Sequence, residues 1–126
     1  MLPLLLDTHI FLWLVTDDPH LSRPAREAIE AADIVFVSAA SIWEIAIKVR
    51  LGKLTGDLDQ LIAEIPENGF EELPVYARHG REVAKLPMLH GDPFDRLLVA
   101  QAIADHLQLL TADTQVKAYS KFAAIV

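Results

Sequence analysis

Near its start the chain places three aliphatic residues, Leu4, Leu5 and Leu6, directly before the carboxylate of Asp7. A run apolar on both faces suits the central strand of a parallel sheet, because helices cover both sides of such a strand. Further apolar runs follow at Ile34–Val37, more weakly at Phe70–Val75, at Leu109–Thr111, and at Ala123–Val126 as a closing strand. Between them, apolar positions recur at helical spacing. Asp7-Thr8-His9 reads as a turn, and Ile10–Val15 predicts a short helix broken by Asp17-Asp18-Pro19. Ser22, with Pro24 in the first turn, is a good N-cap for a helix over Arg23–Ala32. Ser38 caps a long helix through Leu51 that Gly52 closes. Leu58, Leu61, Ile62 and Ile65 mark an amphipathic helix ending at Pro66 to Gly69. Tyr76–Lys85 reads as a more polar helix and Leu86–Gly91 as a loop. Asp92 then opens a helix with Pro93 at its first position, running to about His106, and Thr114–Tyr119 predicts a short helix. Strands alternate with helices and no repeat or low-complexity linker intervenes. The expectation is one domain over residues 1–126, a three-layer α/β/α sandwich around a mostly parallel sheet.

Composition narrows the chemistry. At 126 residues, 52% of them hydrophobic, the chain is large enough to bury a core of its own. The absence of cysteine excludes a disulfide framework, a thiolate nucleophile and a Cys-type zinc site, and suits a reducing cytoplasm. Eleven Lys and Arg against 18 Asp and Glu give a net charge of −7. An acidic protein has no general attraction to phosphate, so nucleic-acid contact would depend on local basic patches or bound cations. The apolar run Leu2–Val15 is interrupted by Asp7 and His9, lacks the basic lead of a signal peptide, and is too short to span a bilayer.

Most of the acids sit in polar company, but Asp7, Glu44, Asp95 and Asp113 do not. In open α/β sheets ligands bind beyond the carboxyl ends of the strands, which is where Asp7 falls. Asp113 follows Leu109-Leu110-Thr111 much as Asp7 follows its own leucines; each is either a helix N-cap or a wall of a shared crevice. If those strands are neighbours, their ends lie about 4.8 Å apart. Glu44 lies inside Ile42-Trp43-Glu44-Ile45-Ala46-Ile47, a helix apolar on nearly every side. Burying a lone carboxylate is costly unless it is paired or bound to a metal. An ion pair with Lys48 is the plain reading, yet lysine snorkels outward more easily than glutamate, so the functional reading stands ahead. Asp95 precedes Leu97-Leu98-Val99-Ala100; with Asp92 as N-cap it resembles a capping box, and taken alone that reading prevails.

Two carboxylates about 6 Å apart repel by roughly 3 kcal/mol at an effective dielectric of about 20. A cluster of several such pairs rivals the net stability of a small domain. Either some acids stay protonated or a divalent cation sits among them. All-oxygen ligands favour Mg²⁺ or Mn²⁺ over zinc, and such ions stabilise phosphoryl charge and activate a water for phosphodiester hydrolysis.

These residues carry a resemblance. Leu4–His9, Val37–Lys48, His90–Ala102 and Leu109–Asp113, in that order, resemble the PIN-domain ribonucleases, specifically the VapC-type toxins of toxin–antitoxin pairs. The resemblance implies a parallel sheet with helices on both faces and Mg²⁺- or Mn²⁺-dependent endonuclease activity on RNA. It places the family's four acids on Asp7, Glu44, Asp95 and Asp113, its hydroxyl on Thr111 and its serine on Ser41. It also implies a homodimer, blocked by a VapB-type antitoxin whose C-terminal segment enters the acidic groove. An acid cluster suits a basic peptide.

In role terms Asp7 and Asp95 are expected as principal metal ligands, with Glu44 and Asp113 completing the set and orienting the attacking water. Arg96 stands either to contact a substrate phosphate or to pair with Asp92. Thr8 and Ser41 either bond metal-bound waters or satisfy local backbone groups. Lys48, Arg50 and Lys53 form a basic run that guides RNA or is a solvated helix end. His9, His79 and His90 lack metal-ligand spacing and are given no catalytic role, His9 being the one expected to line the groove. A catalytically silent PIN-like domain that binds RNA or a partner is the alternative. An aspartyl-phosphate phosphotransferase or receiver domain fits less well: the first wants an Asp where His9 stands, and neither fits Glu44. No Gly-x-Ser-x-Gly turn supports Ser-His-Asp hydrolysis.

Overall fold

Leu4–Leu6 (β1) is hydrogen-bonded on both sides, as its fully apolar sequence requires. The computed structural model describes residues 2–126. On one side of β1 runs Val35–Ser38 (β2), with Glu71–Leu73 (β3) beyond it; on the other side runs Gln108–Leu110 (β4). All three pairings are parallel, with Leu6 level with Val37 and with Leu110. The carboxyl ends of the four strands therefore share one edge.

Alternation along the strands builds two cores. Leu4, Leu6, Val35, Val37 and Leu110 point to one face. They meet Ile10 and Phe11 of Thr8–Val15 (α1), Ala25 and Ile29 of Arg23–Ala31 (α2), Ile45 of Ala39–Arg50 (α3) and Ile65 of Leu58–Glu67 (α4). Leu5, Phe36 and Leu109 point to the other face. There Leu98, Val99 and Ala102 of Pro93–Ala104 (α6) and Val116 of Thr114–Lys117 (α7) cover them, and Ala77–Lys85 (α5) packs on α6. Three layers result, as the alternation of elements implies.

Local differences from the sequence reading have simple causes. Asp7 is already the N-cap residue of α1, so Thr8 and His9 are helical and no separate turn intervenes. α4 ends at Glu67, within the expected Pro66 to Gly69, with Pro66 in its last turn. The closing strand contracts to one parallel bridge between Leu109 and Ile125, with Thr111 N–H donating to Val126. Gly52, with φ of 73°, closes α3 as its position predicts. Among the described residues no helix is long and apolar enough to cross a membrane.

Candidate metal centre

The edge formed by the strand ends carries Asp7 and Asp113, and the charges of Glu44 and Asp95 act close by. Asp7, 4% exposed, leaves β1 with its N–H donating to Leu110 O at 2.9 Å. Its Oδ2 accepts the Thr111 hydroxyl at 2.5 Å, and that hydroxyl oxygen accepts the Asp113 N–H at 3.0 Å. The two strands are neighbours, and Asp7 and Asp113 line one shallow cleft together with His9, Trp13 and Ala112. Asp113 also caps α7, accepting the Gln115 N–H at 2.8 Å, whereas the Asp7 side chain makes no cap bond. Both acids thus occupy N-cap positions, but only Asp113 caps with its side chain, and the Asp7 carboxylate is held by Thr111 instead.

Glu44, on the second turn of α3, is 6% exposed. Lys48 reaches its Oε2 at 3.1 Å, so the plain ion pair is present. Its Oε1, equally buried, has no hydrogen-bond partner. An unpartnered charged oxygen inside a protein is costly and calls for an explanation.

Asp95 lies in the first turn of α6, but the cap is made by Asp92, whose carboxylate accepts the N–H of Phe94 at 2.8 Å and of Asp95 at 3.0 Å. The Asp95 carboxylate turns instead to His90 Nε2 at 2.8 Å. Burial pushes the Asp95 acid up to about 6, with repulsion from Asp7, Asp92 and Glu44 adding to it against the His90 bond. Burial also raises Asp7, opposed by the Thr111 bond, with Glu44 contributing in the same upward sense. Asp7, Glu44 and Asp95 thus share one electrostatic field. Asp113 joins it through Asp95: one ligand atom each from His90, Asp95 and Asp113 lie within 4.8 Å of one another.

The supporting residues sort less simply. Thr8 donates its hydroxyl hydrogen to Ser41 Oγ at 2.9 Å, both buried, so the two bond each other and tie α1 to α3. Arg96 is engaged inside the protein. Its guanidinium is buried and donates to Pro87 O at 3.0 Å and the Tyr119 hydroxyl at 2.8 Å, with Val83 O at 3.4 Å. It does not pair with Asp92, whose carboxylate serves the helix cap. Arg50 and Lys53 are exposed; Arg50 lies about 9 Å farther along α3 than Glu44 at the usual rise per residue. His9 lines the cleft as expected, and His79 is buried elsewhere against Asp105 at 2.9 Å. His90, given no role from its spacing, has its ring against Asp95. The available signal was its place two residues before the N-cap of a helix whose first turn carries Asp95.

These residues fit a hard divalent cation. Carboxylate oxygens predominate, two of the acids resist ionisation, and one buried oxygen lacks a partner that a cation would supply.

Known proteins resemble this chain in sequence and in fold. The family described as PIN domain matches residues 4–122. Ribonuclease VapC22 of Mycobacterium tuberculosis is 30% identical over 130 residues, spanning 94% of this chain and 93% of its own. VapBC2 from Rickettsia felis, solved with a DNA fragment from its promoter, superposes with a TM-score of 0.68 at 15% identity, covering 98% of this chain and 96% of that one. FitAcB from Neisseria gonorrhoeae gives 0.68 at 20% identity, covering 97% and 95%. At such identities the structural likeness is one of fold: a parallel sheet with helices on both faces.

Proposed function

The chain belongs to the PIN-domain family, and on that premise we propose that it is a Mg²⁺- or Mn²⁺-dependent endoribonuclease, the toxin of a VapB–VapC-type pair. The observation that carries the metal-dependent reading is the partnerless Oε1 of Glu44, buried beside two acids held above their ordinary range. The ribonuclease reading draws support from the relative's name, and the antitoxin partner from the toxin–antitoxin complexes among the structural neighbours. A homodimer is part of the proposal.

Asp7 and Asp95 would be the principal ligands, with Glu44 and Asp113 completing the set. When bound, the cation supplies charge stabilisation at the phosphoryl group and a more acidic water. The protein's own contribution is positioning. Thr111 fixes one oxygen of Asp7, the Asp92 cap fixes the helix turn that carries Asp95, and Lys48 neutralises one oxygen of Glu44. Glu44 Oε1 would face the cation, and the Asp113 oxygen not used by the α7 cap would accept a hydrogen bond from the attacking water.

The test is cleavage of a structured RNA by protein freed of antitoxin, with and without Mg²⁺ or Mn²⁺, beside Asp7→Asn. Cleavage that needs the cation and disappears in the variant is expected. Activity that survives Asp7→Asn or ignores a chelator overturns the reading, and a cation-binding protein with no cleavage would be the silent alternative.

A further inference from the structure

We infer that His90 is a nitrogen donor to the cation, and that it biases the centre towards first-row transition ions such as Mn²⁺ over Mg²⁺. This rests on the metal-dependent reading above. His90, Asp95 and Asp113 each present a ligand atom within 4.8 Å of the others, which is the spacing a single ion bridges. His90 Nε2 and Asp95 Oδ2 stand 2.8 Å apart, in hydrogen-bonding contact. A cation bound between them would replace that hydrogen bond, both side chains then offering it a ligand atom.

The loop that presents His90 is held from below. Tyr119 is fully buried, and its hydroxyl oxygen accepts the N–H of Leu89 and of His90, both at 3.2 Å, while donating to Pro87 O at 2.9 Å. The guanidinium of Arg96 donates to the same hydroxyl and the same carbonyl. Residues 86–91 have no regular secondary structure, yet their backbone is fixed by two buried side chains. Ordering a free loop on binding would cost affinity; here that ordering is already in place. Independently, Glu44, whose charge acts on Asp95, has a buried Oε1 that lacks a positive partner.

The donor set then decides the ion. Mg²⁺ takes oxygen ligands and dehydrates reluctantly, whereas imidazole nitrogen strengthens binding of the transition ions. One imidazole among carboxylates leaves Mg²⁺ bound but gives Mn²⁺ the advantage.

The experiment uses the full chain loaded with Mn²⁺. Pulsed EPR of the wild type should show ¹⁴N coupling from one imidazole; His90→Gln should lose it and His9→Gln keep it. The ratio of Mn²⁺ to Mg²⁺ affinity, read by competition, should fall on the order of tenfold in His90→Gln. Tyr119→Phe, which retains the imidazole but frees the loop, should keep the coupling and weaken Mn²⁺ binding severalfold. Absence of ¹⁴N coupling in the wild type, its persistence in His90→Gln, or an unchanged affinity ratio overturns the inference. If Asp7→Asn still abolishes Mg²⁺-dependent RNA cleavage in that case, the proposed function stands without His90. Failure of every variant and the wild type to bind either ion would remove both.

Discussion

Thr111 donates its hydroxyl hydrogen to Asp7 Oδ2 at 2.5 Å, across 104 residues of sequence. The bond exists because β4 lies beside β1 and the two strands end level. It favours the charged form of Asp7 against the burial that opposes it. Thr111→Val should therefore raise the Asp7 acid further and move the acidic limb of the pH–rate profile for RNA cleavage to higher pH. A buried acid left with one donor fewer costs roughly 1–3 kcal/mol, and thermal melting at neutral pH should register it. Thr111→Ser, which keeps the hydroxyl, should restore the profile; a profile unmoved in Thr111→Val would show that the bond does not govern Asp7.

The raised acid of Asp95 has a definite sign in stability. Its ordinary value is 3.8 and the folded value about 6, so between these the folded state holds the proton more tightly than the unfolded chain. Stability from this group is therefore lost as pH rises from about 4 to about 6 and does not change above that. After allowance for solvent screening the loss is on the order of 1–2 kcal/mol. Melting of cation-free wild type and Asp95→Asn should diverge over that window, the variant melting higher at pH 7. A capping role would give the opposite sign, but the cap belongs to Asp92. Added Mn²⁺ should stabilise the wild type more at pH 7 than at pH 5, because the cation competes with protons for the same oxygens.

What the sequence made legible, and what it hid, follows from which interactions are local. Leu4–Leu6 and Glu44 stand out because burial contradicts or demands a residue type: apolar on both faces of a strand, or a charge inside an apolar helix. The pairing of the Asp7 and Asp113 strand ends needed only the assumption that two similar strands are neighbours. Arg96 does not pair with Asp92 because a long side chain beside an acid has several reachable partners, and it takes Tyr119, 23 positions away. His90 carried no periodic signal, since loop residues obey none; its place is set by tertiary bonds to the Tyr119 hydroxyl. The thin closing strand is an edge that gains one bridge beside β4, with Ala123 and Ile125 only partly buried against the core.

Arg96 offers a direct contrast between phosphate contact and loop support. A lysine preserves charge and would largely preserve a phosphate contact. It cannot reproduce the planar fork that spans Pro87 O, Val83 O and the Tyr119 hydroxyl. Arg96→Lys should accordingly destabilise the protein by about 1–3 kcal/mol, because buried acceptors lose their donor. Its RNA affinity at saturating cation should stay near wild type. A loss confined to RNA binding, with an unchanged melting temperature, would restore the phosphate-contact role.

Lys48 holds one oxygen of Glu44 and leaves the other bare, so it competes with a cation for the same carboxylate. Its side chain is 31% exposed against 8% for Glu44, which lets it withdraw to solvent when an ion arrives. Lys48→Met should leave Glu44 with no positive neighbour in the cation-free protein. Breaking a buried pair costs about 3–5 kcal/mol; partial exposure of the lysine reduces this to about 1–2 kcal/mol. The melting temperature without cation should fall, and the gain on adding Mn²⁺ should exceed that of the wild type, because the ion no longer displaces anything. Equal gains in both proteins would mean that Glu44 does not meet the cation, and that the lysine, not a metal, is its working partner.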